Sequence, residues 1–259
     1  MARAKRHYLP GHIWHITHRC HKREFLLKFA RDRMRWLQWL YEAKSRYGLT
    51  ILDYMVTSNH IHLLVLDDGD RETIPKSIRL IAGRIGQEYN QRKNRRGAYW
   101  EDRYHATAVE EGAHFIHCLT YIDLNMVRAG VVDHPSMWPF SGYNEIQNPK
   151  RKNVLIDYEK LLDLLGIESF SHLQKVHQDW VEDSMVKGNL LPDDQWTKSI
   201  AVGSIEFTTG VKTDLGVLAK GRKLQETDYG YQLREVSFPY EDQIGRKKEE
   251  IGIKNTYLW

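Results

Sequence analysis

Residues 49–66 read LTILDYMVTSNHIHLLVL, two runs of apolar and β-branched residues separated by a polar Ser-Asn pair. Runs of this length and composition are typical of β-strands, and a short polar link between two of them is typical of a tight hairpin. Residues two apart on a strand point to the same face, so His60 and His62 project together. The stretch predicts two antiparallel strands, at 49–57 and 60–66, the second carrying a pair of imidazoles.

Strand and helix patterns continue on both sides of this hairpin. The predicted elements, in chain order, are a strand at 11–19, a helix at 31–47, the two hairpin strands, a helix from about residue 75, a strand at 98–110 and a helix at 113–128. Apolar residues three and four apart predict the helices, and Gly48 and Gly130 predict where two of them end. The order of the first six elements is that of a split βαβ unit, so we predict an α+β fold with a ferredoxin-like antiparallel sheet and helices on one face.

The composition changes after the first 147 residues. A polar, basic stretch at 148–153 is typical of a linker. Beyond it, residues 154–195 show helical periodicity, and residues from 196 onward show no regular pattern. We therefore predict a first domain at 1–147 and a mainly helical C-terminal extension at 148–259 that becomes irregular.

Charge is distributed unevenly along the chain. The net charge is +4, but residues 1–128 hold 22 Lys and Arg against 14 Asp and Glu, a net of +8, while residues 129–259 hold 16 against 20, a net of −4. A basic segment of this kind is typical of proteins that bind nucleic acid, although it is also compatible with a solvated surface. The sequence has no long apolar run or signal peptide, and its two cysteines are too few for a disulfide framework. These features predict a cytoplasmic, nucleoid-associated protein that does not enter a membrane.

The predicted helix at 113–128 carries a polar stripe opposite its apolar one. The stripe contains, at spacings of three and four, His114, His117, Tyr121, Asn125 and Arg128. Two neutral imidazoles leave open positions on a metal ion, which is what a catalytic site requires. A carboxamide oxygen from Asn125 would extend the ligand set of His60 and His62. The phenol of Tyr121 would then lie one turn away, directed at whatever the metal polarises.

A tyrosine beside a divalent metal suits nucleophilic attack on a phosphodiester. A metal on a non-bridging oxygen offsets the negative charge that protects the phosphorus. A phenolate, with an ordinary pKa near 10, is also a good leaving group, so a phosphotyrosine can be reversed. This chemistry favours strand cleavage followed by rejoining over simple hydrolysis.

Four blocks of the sequence, spread over roughly residues 6–146, resemble the REP-associated tyrosine transposases. These are HUH-type, single-tyrosine relatives of the insertion-sequence transposases, and His60-Ile61-His62 resembles the motif that gives HUH enzymes their name. The blocks are YLPGHIWHITHR at 8–19, MVTSNHIHLLV at 55–65, YWEDRY at 99–104 and YIDLNMVRAG at 121–130.

The resemblance implies a ferredoxin-like HUH nuclease core that cuts single-stranded DNA near hairpins in repetitive palindromes. It implies that His60, His62 and Asn125 bind Mg²⁺ or Mn²⁺. Tyr121 would attack to leave a 5′-phosphotyrosine and a free 3′-hydroxyl. Because imidazole pairs favour softer ions than Mg²⁺, we expect Mn²⁺ to serve at least as well. The expected partners are single-stranded and hairpin DNA, with the protein acting as a monomer or a homodimer.

Contacts to DNA are expected mainly from the basic first half, where cations adjoin aromatic side chains that can stack on unpaired bases. The candidate residues are Arg3, Lys5, Arg6, Arg19, Arg92, Lys93, Arg95, Arg96, Trp100, Arg103, Tyr104 and Arg128.

Two other functions are compatible with the same residues. One is a catalytically silent protein that binds hairpin DNA through the basic surface. The other is a metal-dependent phosphoesterase acting on small molecules, in which Tyr121 has no role; this alternative leaves the basic half of the chain unexplained.

Overall fold

The computed structural model describes residues 9–187 and 193–235. Its centre is a seven-stranded sheet. The first four strands, which form one half of it, are β1 at Ile13–Arg19, β2 at Thr50–Val56, β3 at His60–Leu66 and β4 at His105–Val109. β1 pairs antiparallel with β3 on one side and β4 on the other. This arrangement confirms the predicted ferredoxin-like sheet.

Helices α1, at Ala30–Tyr47, and α2, at Thr73–Arg92, connect these strands and pack against each other. α1 ends at Gly48, whose φ of 70° lies in the left-handed region that glycine adopts without strain. The helix predicted at 113–128 is interrupted at Leu124 in the structure. It forms two helices, α3 at Ala113–Asp123 and α4 at Asn125–Arg128.

The strand predicted at 98–110 begins later in the structure, at His105. Tyr99 and Trp100 supplied the aromatic signal of a strand, but their side chains make contacts outside a strand ladder, and the Tyr99 hydroxyl donates to the carbonyl of Leu26 at 3.2 Å. The Trp100 indole donates to the carbonyl of Ala82 at 3.1 Å, and the Trp100 backbone forms only an isolated bridge with Cys20. The chain then leaves the sheet before β4, so the prediction was wrong for residues 98–104.

The rest of the described chain adds helices and a second half of the sheet. These elements are α5 at Gly142–Gln147, α6 at Tyr158–Leu165, α7 at Phe170–Val186, α8 at Gln195–Lys198, β5 at Ala201–Gly203, α9 at Ile205–Leu215, β6 at Arg222–Thr227 and β7 at Gly230–Glu235. β5 pairs with β4 in parallel, and β7 joins β5 to β6 through antiparallel pairings. The order of strands across the sheet is therefore β2-β3-β1-β4-β5-β7-β6.

The prediction that the chain is irregular from residue 196 was therefore wrong for the described residues. β6 is the last strand of the sheet and alternates between half-buried and exposed residues. Without a buried face it lacks the apolar residues that mark a strand in a sequence.

Side chains from both ends of the described chain share one hydrophobic core. Ile16 and Leu63 of the first sheet half belong to the same buried cluster as Trp196, Val202 and Leu233. The division at residue 147 stays a prediction about how the chain is organised. No helix in 9–187 or 193–235 is long and apolar enough to cross a membrane.

Candidate active site

β3 and the start of α4 bring the three predicted metal ligands together. The His60 and His62 ring centroids lie 5.0 Å apart, and the carboxamide nitrogen of Asn125 lies 3.0 Å from Nε2 of His62. A half-turn of the amide exchanges its nitrogen and oxygen, which would place Oδ1 at the same position. Adjacent ligands on an octahedral ion with bonds near 2.1 Å are about 3 Å apart, so this separation fits a shared divalent ion.

The described residues contain no arrangement of three or more His, Cys, Asp or Glu side chains that could hold a metal ion. A metal at this place would therefore depend on the carboxamide of Asn125 beside the two imidazoles. Two neutral nitrogens and one amide oxygen form an incomplete set, which leaves coordination positions for substrate oxygens.

A third histidine, His15, lies in contact with His62. Its Nε2 is 2.8 Å from Nδ1 of His62, and the two rings are stacked within 7° of parallel. His60 is held in a different way, because its Nδ1 contacts Oδ1 of Asn59 at 2.7 Å and the hydroxyl of Thr57 at 3.0 Å. These contacts occupy the Nδ1 atom of both predicted ligands, so coordination would use the two Nε2 atoms. The Nε2 atom of His62 is in contact with the amide nitrogen of Asn125, which the half-turn of the amide would replace with Oδ1.

Sequence reasoning missed His15 as a site residue. His15 lies on β1 opposite Leu64, and the side chains around it alternate between the two faces as they do on any strand. The period-two pattern of 12–19 showed which residues share a face, but only the register between β1 and β3 places His15 beside His62.

The imidazoles of the site are held in the neutral form. Burial lowers the pKa of His60 to about 4, with a further decrease from the nearby charges of Arg19 and Arg128. Burial also lowers the pKa of His15 to about 3 and that of His62 well below its ordinary value. Because neutral imidazole is the form that binds metals, the site is prepared for coordination at neutral pH.

Tyr121 lies on α3 beside these histidines. Its ring centroid is 5.9 Å from that of His62 and 6.3 Å from that of His15. The Arg128 guanidinium lies 3.9 Å above the phenol ring and donates to the main-chain carbonyl of Tyr121 at 2.6 Å. Burial raises the pKa of Tyr121, and the positive charge of Arg128 opposes that increase. Arg128 is thus the group that favours the phenolate.

The predicted DNA-contacting residues occupy different environments. Arg19 is paired in register with His60 and lies 4.0 Å from Glu101, so it borders the site. Arg92 forms an ion pair with the buried Asp32 at 2.5 Å. Arg95 contacts Glu24 at 3.6 Å and donates to the carbonyl of Ala98 at 3.0 Å, so both of these arginines have partners within the protein.

The remaining candidates lie at the surface or next to it. Lys93, Arg96 and Arg103 are exposed, while Trp100 and Tyr104 are half-buried. The Trp100 ring stacks on His18 at a centroid distance of 4.1 Å, which leaves one of its faces covered. Arg3, Lys5 and Arg6 lie outside the described residues.

Comparison with known proteins gives a family match and several similar solved structures, two of which are described here. Residues 9–125 match the model of the IS200-like transposases. A solved REP-associated tyrosine transposase bound to a REP hairpin is 20% identical; the match covers 61% of this chain and 94% of that one, with a TM-score of 0.48. A putative transposase from Deinococcus radiodurans is 14% identical, covers 49% of this chain and 95% of its own, and has a TM-score of 0.33. No curated protein matches the sequence.

Proposed function

We propose that this protein is a metal-dependent endonuclease and strand transferase of single-stranded DNA, with Tyr121 as its nucleophile. Residues 9–125 belong to the IS200-like transposase family, a family of DNA-processing enzymes. The observation that supports this proposal is the position of the Tyr121 phenol. It adjoins the cluster of His60, His62 and Asn125 on one side and the Arg128 guanidinium on the other.

The chemical step transfers the phosphoryl group of the DNA from its 3′-oxygen to the phenol oxygen of Tyr121. The Tyr121 hydroxyl gives its proton to solvent, and the phenolate oxygen attacks the phosphorus of a phosphodiester. The P–O3′ bond breaks, and the departing 3′-oxygen takes a proton from solvent. The products are a 5′-phosphotyrosine and a free 3′-hydroxyl, with no change in oxidation state.

The chain's own residues prepare this step. Arg128 stabilises the phenolate through its charge and fixes the backbone of Tyr121 through the hydrogen bond to its carbonyl. His15 holds the ring of His62 in one orientation, and Asn59 does the same for His60. When bound by His60, His62 and Asn125, Mg²⁺ or Mn²⁺ would supply charge neutralisation on a phosphate oxygen.

Rejoining follows from the same geometry. A 3′-hydroxyl from the same or another strand can attack the phosphotyrosine, because the phenolate is a good leaving group. The bond energy is kept in the covalent intermediate, so strand transfer needs no external energy source. The DNA partners that we propose are single strands next to hairpins, contacted by exposed cations such as Lys93, Arg96 and Arg103.

The test is covalent capture of DNA by the full chain. Labelled DNA hairpins with randomised single-stranded flanks are incubated with the protein and Mn²⁺, and protein–DNA adducts are separated under denaturing conditions. We expect an adduct with the unaltered protein, none with Tyr121→Phe, and none with EDTA. Tyr41→Phe, a half-buried tyrosine of α1, is the matched control and should retain the adduct. An adduct that persists in Tyr121→Phe would refute the assignment of the nucleophile.

A catalytically silent hairpin-binding protein is the second candidate. The observation that favours it is the burial of Tyr121, which raises the pKa of its phenol and so disfavours the nucleophilic form. The same experiment separates the two functions. A silent protein would bind the hairpins without forming an adduct under any metal condition.

A further inference from the structure

A cavity of about 590 Å³ opens beside Tyr121, apart from the histidine cluster. Part of its lining comes from α3, Leu124 and α4 and includes His117, Tyr121 and Arg128. A second part, which we call the second wall, comes from the C-terminal extension, chiefly from residues 193–196 and from the turn between β6 and β7. The family match ends at residue 125, so this second wall lies outside it.

We propose that this space, which we call the base cavity, binds the unpaired base next to the attacked phosphate and selects guanine. The inference rests on the proposed function, because it assigns a specificity site to the same reaction. Tyr121 lines the base cavity and also adjoins the predicted metal ligands. A nucleotide whose phosphate lies at the phenol oxygen would therefore place its base within reach of the cavity.

The size and the aromatic lining of the base cavity suit a planar ring. Its volume falls in the range of small-molecule sites, which is about 300–1,000 Å³. The indole of Trp196 is buried and lies 6.0 Å from the Tyr121 ring, centroid to centroid. Tyr229, also in the lining, is 50% exposed and lies edge-on to His117 at a centroid distance of 4.7 Å. Aromatic side chains on such walls stack on unpaired bases of any sequence.

Three residues that the C-terminal extension adds to the lining, Asp193, Gln195 and Asp228, carry hydrogen-bond acceptors. Gln195 is 4% exposed and donates its amide N–H to the carboxylate of Asp193, which leaves its Oε1 without a hydrogen-bond partner in the described chain. The Asp193 carboxylate also accepts from the main-chain nitrogen of Gln195 at 3.0 Å. Asp228 adds a second carboxylate to the lining. Ionised carboxylates only accept hydrogen bonds, so the partner must donate.

Guanine is the base whose hydrogen-bond donors best complement these acceptors. Its Watson–Crick edge carries adjacent N1–H and N2–H donors. Thymine offers a single N–H donor between two carbonyls, and adenine and cytosine each offer one amino group beside a ring nitrogen that accepts. The phosphates on either side of the base would meet Arg128 and Lys187, the two cations of the lining. The extension thus supplies the base selectivity, and the first domain supplies the chemistry.

The experiment measures binding separately from cleavage. The full chain is titrated, in EDTA, against fluorescein-labelled DNA hairpins with short thymidine tails in which guanine or inosine replaces thymidine at one position at a time. We expect one tail position where guanine tightens binding about tenfold over thymidine, and where inosine, which lacks the 2-amino group, loses most of that gain. Asp193→Asn should abolish the guanine preference, because an amide presents donors to the same edge. Tyr229→Ala should weaken binding of every tail.

The control is Asp214→Asn, which removes an exposed carboxylate of α9 away from the base cavity and should leave the preference unchanged. The inference is overturned if no tail position prefers guanine, or if the preference survives in a folded Asp193→Asn protein. Failure of the proposed function has a different signature. In that case guanine is still selected in EDTA, but no Tyr121-dependent adduct forms with Mn²⁺.

Discussion

Replacing His15 with Gln should change how the stability of the protein depends on pH. His15 is fully buried, and its Nε2 contacts His62. Burial lowers the pKa of His15 to about 3 in the folded protein, against 6.5 for an imidazole in water. An unfolded chain therefore binds a proton at this position between pH 6.5 and pH 3, while the folded chain does not. The stability tied to neutral His15 is present above pH 6.5 and is lost as the pH falls toward 3.

The size of the effect follows from the difference between the two states. At pH 8 both states are neutral at this position, and the proton contributes nothing. A pH of 5 is 1.5 units below the pKa of 6.5 that the imidazole has in the unfolded chain, and each unit is worth about 1.36 kcal/mol. The free energy of unfolding thus loses about 2 kcal/mol through His15 between pH 8 and pH 5. Any folded pKa below about 4 gives nearly the same value, because the folded imidazole is then neutral at pH 5.

The assay is urea unfolding of the unaltered protein and of His15→Gln at both pH values, with EDTA present. The fixed cost of the substitution cancels between the two pH values, as do the titrations of the groups that do not interact with His15. We expect the stability difference between the two proteins to shift by about 2 kcal/mol in favour of the variant at pH 5. His172→Gln, on an exposed part of α7, removes no buried imidazole and is the control. A difference that is the same at pH 8 and pH 5 would show that His15 is not held neutral by burial.

Two further predictions concern α3, the helix that carries Tyr121. His177 on α7 contacts the carboxylate of Asp123 at 2.7 Å, and both side chains are fully buried. His177→Ala should lower the free energy of unfolding, measured in urea, by roughly 3–5 kcal/mol. The double variant with Asp123→Asn should lose less, because no buried charge is left unpaired. Arg128→Met removes the charge that opposes the raised pKa of Tyr121. Adduct formation should slow at neutral pH, by about tenfold in rate for each unit of increase in the pKa, and its pH profile should move to higher pH. An unchanged profile would show that Arg128 does not activate the phenol.

The sequence by itself determined the central features of the first half of the chain. Strand periodicity at 60–66 placed His60 and His62 on one face, and helical spacing placed Tyr121 and Asn125 on one stripe. These are short-range patterns, because neighbours two residues apart on a strand or four apart on a helix share a side whatever the rest of the fold does. The order of elements around the hairpin then sufficed to predict the ferredoxin-like sheet.

Tertiary structure decided what lies next to these residues. The register of β1 against β3 brings His15 to His62, and the docking of residues 193–196 brings Trp196 and Asp193 to Tyr121. Edge strands such as β6 bury no apolar face, so their composition does not distinguish them from a loop. Contacts between segments far apart in the chain leave no periodic signal, because each residue alone is compatible with many partners. The sequence thus specified the candidate site residues of this protein, and only the folded chain shows which neighbours hold them, set their pKa values and line the cavity beside them.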